Sequence, residues 1–82
     1  RIIEPMMVTL ESADDVFPLF QHEGVEFLHI LEGIMEYGYG PSTYRLEPGD
    51  TIQIHGEVAH GPVNLVELPV RFMSIKVFPA AE

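Results

Sequence analysis

The sequence contains no cysteine, so disulfides and thiolate metal sites are excluded, and any metal must bind through His, Glu or Asp. Basic residues are scarce: four Lys and Arg face thirteen Asp and Glu, a formal charge of −9. Gripping a nucleic-acid backbone takes clustered Lys and Arg, so this balance argues against direct contact with DNA or RNA, and against an anionic membrane surface. No run of 18 apolar residues occurs, which leaves nothing to span a bilayer as a helix, and no signal peptide is visible. Together with the missing cysteine, this points to a reducing, cytoplasmic setting. Long helical stretches are missing as well. Gly and Pro recur throughout, at Pro5, Pro18, Gly24, Gly33, Gly38, Gly40–Pro41, Pro48–Gly49, Gly56, Gly61–Pro62, Pro69 and Pro79.

Between these breaks lie short β-rich runs: Met6–Leu10, Val16–Phe20, Glu26–Glu32, Ile34–Tyr39, Thr43–Leu46, Thr51–Ile54, Asn64–Val66 and Val70–Phe78. Short strands at regular spacing with turn signals predict an all-β sandwich or barrel. Glu47-Pro48-Gly49-Asp50 fits a type II turn, with Pro48 fixing φ at the first central position and Gly49 taking the positive φ at the second. Gly33 is expected at the bend of a hairpin or at a bulge. The 82 residues make one domain. At this size a single core rarely supplies more than roughly 3–5 kcal/mol, so a metal or a partner subunit is a natural supplement. Both faces of Glu26–Glu32 and of Arg71–Phe78 are largely apolar, which predicts a homodimer.

The stretch FQHEGVEFLHILEG, residues 20–33, holds polar residues where a buried face wants apolar ones. Side chains in a strand alternate between faces. Phe20, His22, Glu26, Leu28 and Ile30 share parity if the Glu23–Gly24 loop keeps register, so an imidazole and a carboxylate face the same interior volume. His60, after Thr51–Ile54 and a short Gly-containing loop, is the third candidate. Two histidines and a carboxylate suit Zn, Fe, Mn or Ni with positions left open. His29 has the opposite parity and belongs to the outer face, and His55 belongs to an exposed loop. Tyr37, Tyr39 and Tyr44 cluster on a hairpin, where covering the pocket edge is the preferred reading over rimming it. The face of Arg71 is left open.

These residues resemble the cupins. The first cupin motif runs Gly, five residues, His-x-His, three or four residues, Glu, six residues, Gly; here His22, Glu26 and Gly33 take the second His, Glu and closing Gly slots. The second runs Gly, five residues, Pro-x-Gly, two residues, His, three residues, Asn; here Gly49, His60 and Asn64 match. Phe20 stands in the first His slot, Asp14 in the opening Gly slot, and His55 and Glu57 replace the Pro and Gly of Pro-x-Gly. Three of four usual ligands therefore remain. The likeness spans roughly residues 5–78, and the segments FPLFQHEGVEFLHILEG (17–33), YRLEPGD (44–50), AHGP (59–62) and LPVRFMSIKVFP (68–79) look like the C-terminal sensor domain of bacterial regulators that join a Cro/repressor-like helix-turn-helix (XRE type) to a small cupin.

The resemblance implies a double-stranded β-helix (the cupin jelly-roll barrel) over residues 1–82. It implies a pocket formed by Phe20, His22, Glu26, Leu28, Ile30 and His60, with a divalent metal on His22, Glu26 and His60. A small-molecule effector would bind there and act on a transcription regulator whose N-terminal DNA-binding domain lies outside this chain. The alternatives are a stand-alone metal-dependent cupin enzyme of dioxygenase, isomerase or decarboxylase type, and a dimerisation module that binds nothing. The non-catalytic sensor is the preferred expectation.

Overall fold

The computed structural model describes residues 1–80. Five strands follow one another: β1 (Ile2–Leu10), β2 (Val25–Tyr39), β3 (Ser42–Leu46), β4 (Thr51–His55) and β5 (His60–Phe78). Among the described residues there is no helix, and so none long and apolar enough to cross a membrane. The two long strands are the frame. β5 runs antiparallel along the whole of β2, from Val25↔Val77 to Tyr39↔His60. The other edge of β2 is shared, its first half by β4 and its second half by β3. β1 covers the last part of β5, from Leu10↔Val70 to Ile2↔Phe78. The result is an all-antiparallel jelly-roll barrel.

The runs Glu26–Glu32 and Ile34–Tyr39 are one strand, not a hairpin, and Gly33 is the irregularity inside it. The β2–β5 register shifts on both sides of Gly33. Its φ of +79° is favourable only for glycine, and a Cβ there would collide with the Pro69 carbonyl oxygen and come within 2.6 Å of that of Glu67. The bend reverses the parity of the inner face. Before it, Glu26, Leu28 and Ile30 are buried; after it, Met35 and Tyr37 are. An inserted residue in a period-two pattern exchanges the two faces. β5 likewise merges the two runs expected at Asn64–Val66 and Val70–Phe78.

Val16–Phe20 is not a strand. Residues 11–24 form an irregular strap across the barrel mouth, tied down by the Phe20↔His60 bridge, whose backbone bonds measure 2.7 and 3.0 Å. The Glu47–Asp50 turn is as expected, with Asp50 N–H donating to the Glu47 carbonyl at 2.9 Å and Gly49 at φ +94°. Leu28, Ile30, Met35, Ile54 and Val70, each at most 1% exposed, fill one part of the barrel. The remainder is open.

Candidate metal and ligand site in the barrel

Three different segments deliver the candidate donors. Glu26 points inward from β2 and is 5% exposed. His60 opens β5 at 2% exposure. His22 lies on the strap, held by its N–H donating to the Gly56 carbonyl at 2.8 Å, while Gly56 N–H donates to the Gly24 carbonyl at 2.8 Å. The His22 ring lies against Gly56 so closely that a Cβ on Gly56 would overlap it. The strap therefore keeps the register needed for His22 and Glu26 to meet, although it is not a strand.

His22 Nε2 and His60 Nε2 each lie 3.1 Å from Glu26 Oε1. The other ring nitrogens face main-chain oxygens: His22 Nδ1 is 2.8 Å from the Glu23 carbonyl and His60 Nδ1 is 2.7 Å from that of Val58. A carbonyl oxygen only accepts, so each Nδ1 carries a hydrogen. In a neutral ring the Nε2 then presents a lone pair, and both lone pairs point at a carboxylate oxygen. Anchoring Nδ1–H on a carbonyl while Nε2 faces the ion is how metal-binding histidines are oriented. The three donor atoms lie within 4.8 Å of one another, a grouping able to close on one ion. The donor set thus fits a divalent ion held by His22, Glu26 and His60.

Ser74 Oγ donates to Glu26 Oε2 at 2.7 Å, so both carboxylate oxygens are engaged. Burial is the largest influence on Glu26 and pushes its carboxyl up. The hydrogen bonds from Ser74 and His22 and the charges of Lys76 and His60 outweigh it and hold the group below its ordinary 4.5. Tyr37 stacks on His60, with ring centroids 6.4 Å apart, and burial followed by the Glu26 charge pushes its phenol well up, so it stays a hydroxyl.

The trio lines a cavity of about 370 Å³ with walls that are mostly apolar, among them Val8, Leu10, Phe17 and Phe72. Phe20 belongs to this wall, half-exposed at the mouth, with its ring centroid 6.5 Å from that of His60. Leu28 and Ile30, expected on the pocket wall, lie instead in the buried apolar cluster: they point inward but do not line the cavity. Tyr37, preferred as an edge cover, is 2% exposed and lines the cavity, because the Gly33 bend turns odd positions inward. Tyr39 instead accepts the His55 N–H at 3.0 Å, and Tyr44 is exposed. His29 pairs with Thr51 and Met73 on the outer face, and Asn64 donates to Glu36 Oε1 at 2.9 Å, away from the trio. Arg71 is exposed, whereas Ser74 and Lys76 line the cavity. The signal for those two was the alternation Phe72, Ser74, Lys76, in which two polar residues share a face with an aromatic one.

Comparison with known proteins agrees with this fold. Residues 6–76 match the Cupin domain family, and the chain belongs to it. Among solved structures, the chain is similar to an HTH_3 family transcriptional regulator from Vibrio cholerae, with a TM-score of 0.82 and 25% identity over 95% of this chain and 44% of that one. It is similar to the cupin domain of an XRE family transcriptional regulator from Enterobacter cloacae, with a TM-score of 0.83 and 20% identity over 95% of this chain and 83% of that one. It also shares its fold with hydroxypropylphosphonic acid epoxidase from S. wedmorenis, at a TM-score of 0.76 and 20% identity over 92% of this chain and 43% of that one. The chain spans less than half the length of the regulator and the epoxidase. No curated protein sequence matches.

Proposed function

We propose that this cupin domain is the effector-sensing and dimerising part of a cytoplasmic transcription regulator, taking a small molecule into the barrel beside His22, Glu26 and His60. The observation that carries the reading is the convergence of three donor atoms, two of them 3.1 Å from the third, at the wall of an otherwise apolar cavity of about 370 Å³. Such a cavity, mostly apolar with few placed polar groups, is the usual form of a small-molecule site. The similarity to regulator cupin domains supplies the context. His22, Glu26 and His60 would hold a divalent ion, which when bound offers a Lewis-acid position to an oxygen or nitrogen of the ligand. The Nδ1 bonds to Glu23 and Val58 orient the rings, and Ser74 holds the carboxylate.

Binding matters for regulation only if the ligand prefers one arrangement of the subunits over another. The outer sheet face supplies a contact for a second copy: Ile3 is 60% exposed, Met7 42% and Phe27 39%. Register places Ile75 between Pro5 and Phe27, so this apolar face runs across β1, β5 and β2. DNA contact falls to a separate helix-turn-helix domain, consistent with the charge of −9 here.

Metal content of the protein and of His60→Ala, by mass spectrometry, tests the centre. About one equivalent in the parent, lost in the variant, is expected. No metal in either after supplementation with Zn, Fe, Mn and Ni, with the fold intact, would leave a metal-free pocket. In the longer regulator, DNA affinity unchanged by a ligand proven to enter the barrel would remove the sensing role. A second reading, a small metal-dependent enzyme, draws on the same three donors, since three protein ligands leave positions for substrate. Oxygen uptake by the iron-loaded domain, lost in His60→Ala, would favour it.

A further inference from the structure

The cavity wall carries two carboxylates, Asp15 and Glu26, and one strong cation, Lys76. Both carboxylates are already satisfied. Asp15 Oδ2 accepts the N–H groups of Glu11 and Ser12, each at 3.0 Å. Glu26 is taken by His22, His60 and Ser74. Gln21, also on the wall, spends its amide on the Glu57 carbonyl at 2.8 Å. Lys76 is the chain's one lysine, and it is half-buried. Register sets it between Glu26 on β2 and Glu4 on β1. Yet among the described residues no carboxylate oxygen lies within 4.0 Å of its ammonium, and it makes no side-chain hydrogen bond. Its charge acts on Glu26 from across the strand pair without touching it, which among the described residues leaves the ammonium's hydrogens open to an incoming acceptor.

We infer that the cavity takes a monocarboxylate with an apolar body, its head on Lys76 and its body on Val8, Leu10, Phe17 and Phe72. This rests on the reading of the cavity as a small-molecule site and adds the class of molecule. A single negative charge is what one ammonium neutralises; a doubly charged phosphate would face Asp15 and Glu26 with half its charge uncompensated. Size agrees as well. At the roughly 30 Å³ that liquid water allots to each molecule, about 370 Å³ holds about a dozen non-hydrogen atoms. A medium-chain fatty acid or an arylalkanoic acid is of that size. The shared chemistry is the anionic head and apolar body.

The test is calorimetric titration of the metal-free, chelator-treated protein with octanoate and with octanamide, its neutral isostere. Removing metal keeps coordination of the carboxylate by an ion out of the comparison. Octanoate is expected to bind about 10- to 100-fold more tightly than octanamide, the range for a hydrogen bond between charged groups. Lys76→Met loses that preference while still binding octanamide, and Lys76→Arg keeps it. Methyl NMR shifts at Val8 and Leu10, without shifts at Ile3 and Ile75, place the ligand inside rather than on the outer sheet. Equal affinity for octanoate and octanamide in the parent, or an unchanged preference in a folded Lys76→Met, overturns the inference and leaves the cavity as a site for neutral molecules. Failure of both compounds to bind also overturns the inference, while the reading of the cavity as a small-molecule site answers to its own test in the longer regulator.

Discussion

Replacing Ser74 with alanine isolates one hydrogen bond at the centre of the site. Ser74 Oγ is the sole partner of Glu26 Oε2 among the described residues, at 2.7 Å, and Glu26 is 5% exposed. Alanine removes little volume, so the loss is electrostatic: a buried carboxylate oxygen left without a donor. A hydrogen bond to a charged group contributes about 1.5–3 kcal/mol, a large share of the roughly 3–5 kcal/mol a core of this size provides. The effect depends on pH in a defined direction. The folded Glu26 carboxyl sits below its unfolded value of 4.5 despite burial, so its contribution is fully present above pH 4.5. That contribution is lost as pH falls through the folded value. In Ser74→Ala, burial is opposed by one donor fewer, and the depression shrinks or reverses. Urea denaturation of the metal-free protein, followed by far-ultraviolet circular dichroism, should show the widest gap between parent and variant near neutral pH, narrowing under acid as the parent's carboxylate protonates. Metal affinity of the variant should fall by about 10- to 100-fold, as for other partners that orient a ligand. A gap that stays constant or grows under acid would show that Ser74 acts through something other than the Glu26 charge.

Gly56→Ala should push the His22 ring away, because the new methyl occupies its place, and the crowding should cost about 1–3 kcal/mol; competition with a chromophoric chelator should show weakened metal binding, and unchanged affinity would mean that His22 is not a ligand. Gly33→Ala combines a φ of +79° with a collision against the Pro69 carbonyl, so thermal denaturation should reveal a loss of about 2–4 kcal/mol. A loss within 0.5 kcal/mol (about the noise of a neutral surface change) would mean the bend can be re-formed without glycine. Phe27→Glu places a charge in the middle of the outer apolar face, and light scattering coupled to size exclusion should report a dimer for the parent and monomers for the variant; the same mass for both would remove this face as the contact between copies.

Much of this site can be read along the chain because strand periodicity is local. The shared parity of Phe20, His22 and Glu26, the turn at Pro48–Gly49 and the spacing to His60 all reduce to counting residues. Counting fails where register changes. Gly33 signals a hairpin bend or a bulge equally well, and only the bulge turns Tyr37 inward to stack on His60. It fails again where the inner face divides. Leu28 and Ile30 have the same parity as Glu26, yet they belong with Met35 and Ile54 to the buried apolar cluster and not to the cavity wall.

The sequence by itself determined an all-β chain, a set of His and Glu donors with no competing thiolate, and an acidity unsuited to gripping a nucleic-acid backbone. Those properties belong to residue types and to spacing within a segment. Tertiary structure decided which donors meet. His22, Glu26, His60 and Ser74 come from a strap and two strands as much as 52 positions apart, counting from His22 to Ser74; β5 pairing sets Ser74 opposite Leu28, next to Glu26, whereas His60, opposite Tyr39 in that ladder and bridged to Phe20, meets Glu26 across the barrel. It also decided that Lys76 lines the cavity while Arg71, five positions earlier, faces solvent. Pairing between distant strands selects the buried face, and no local pattern carries that choice.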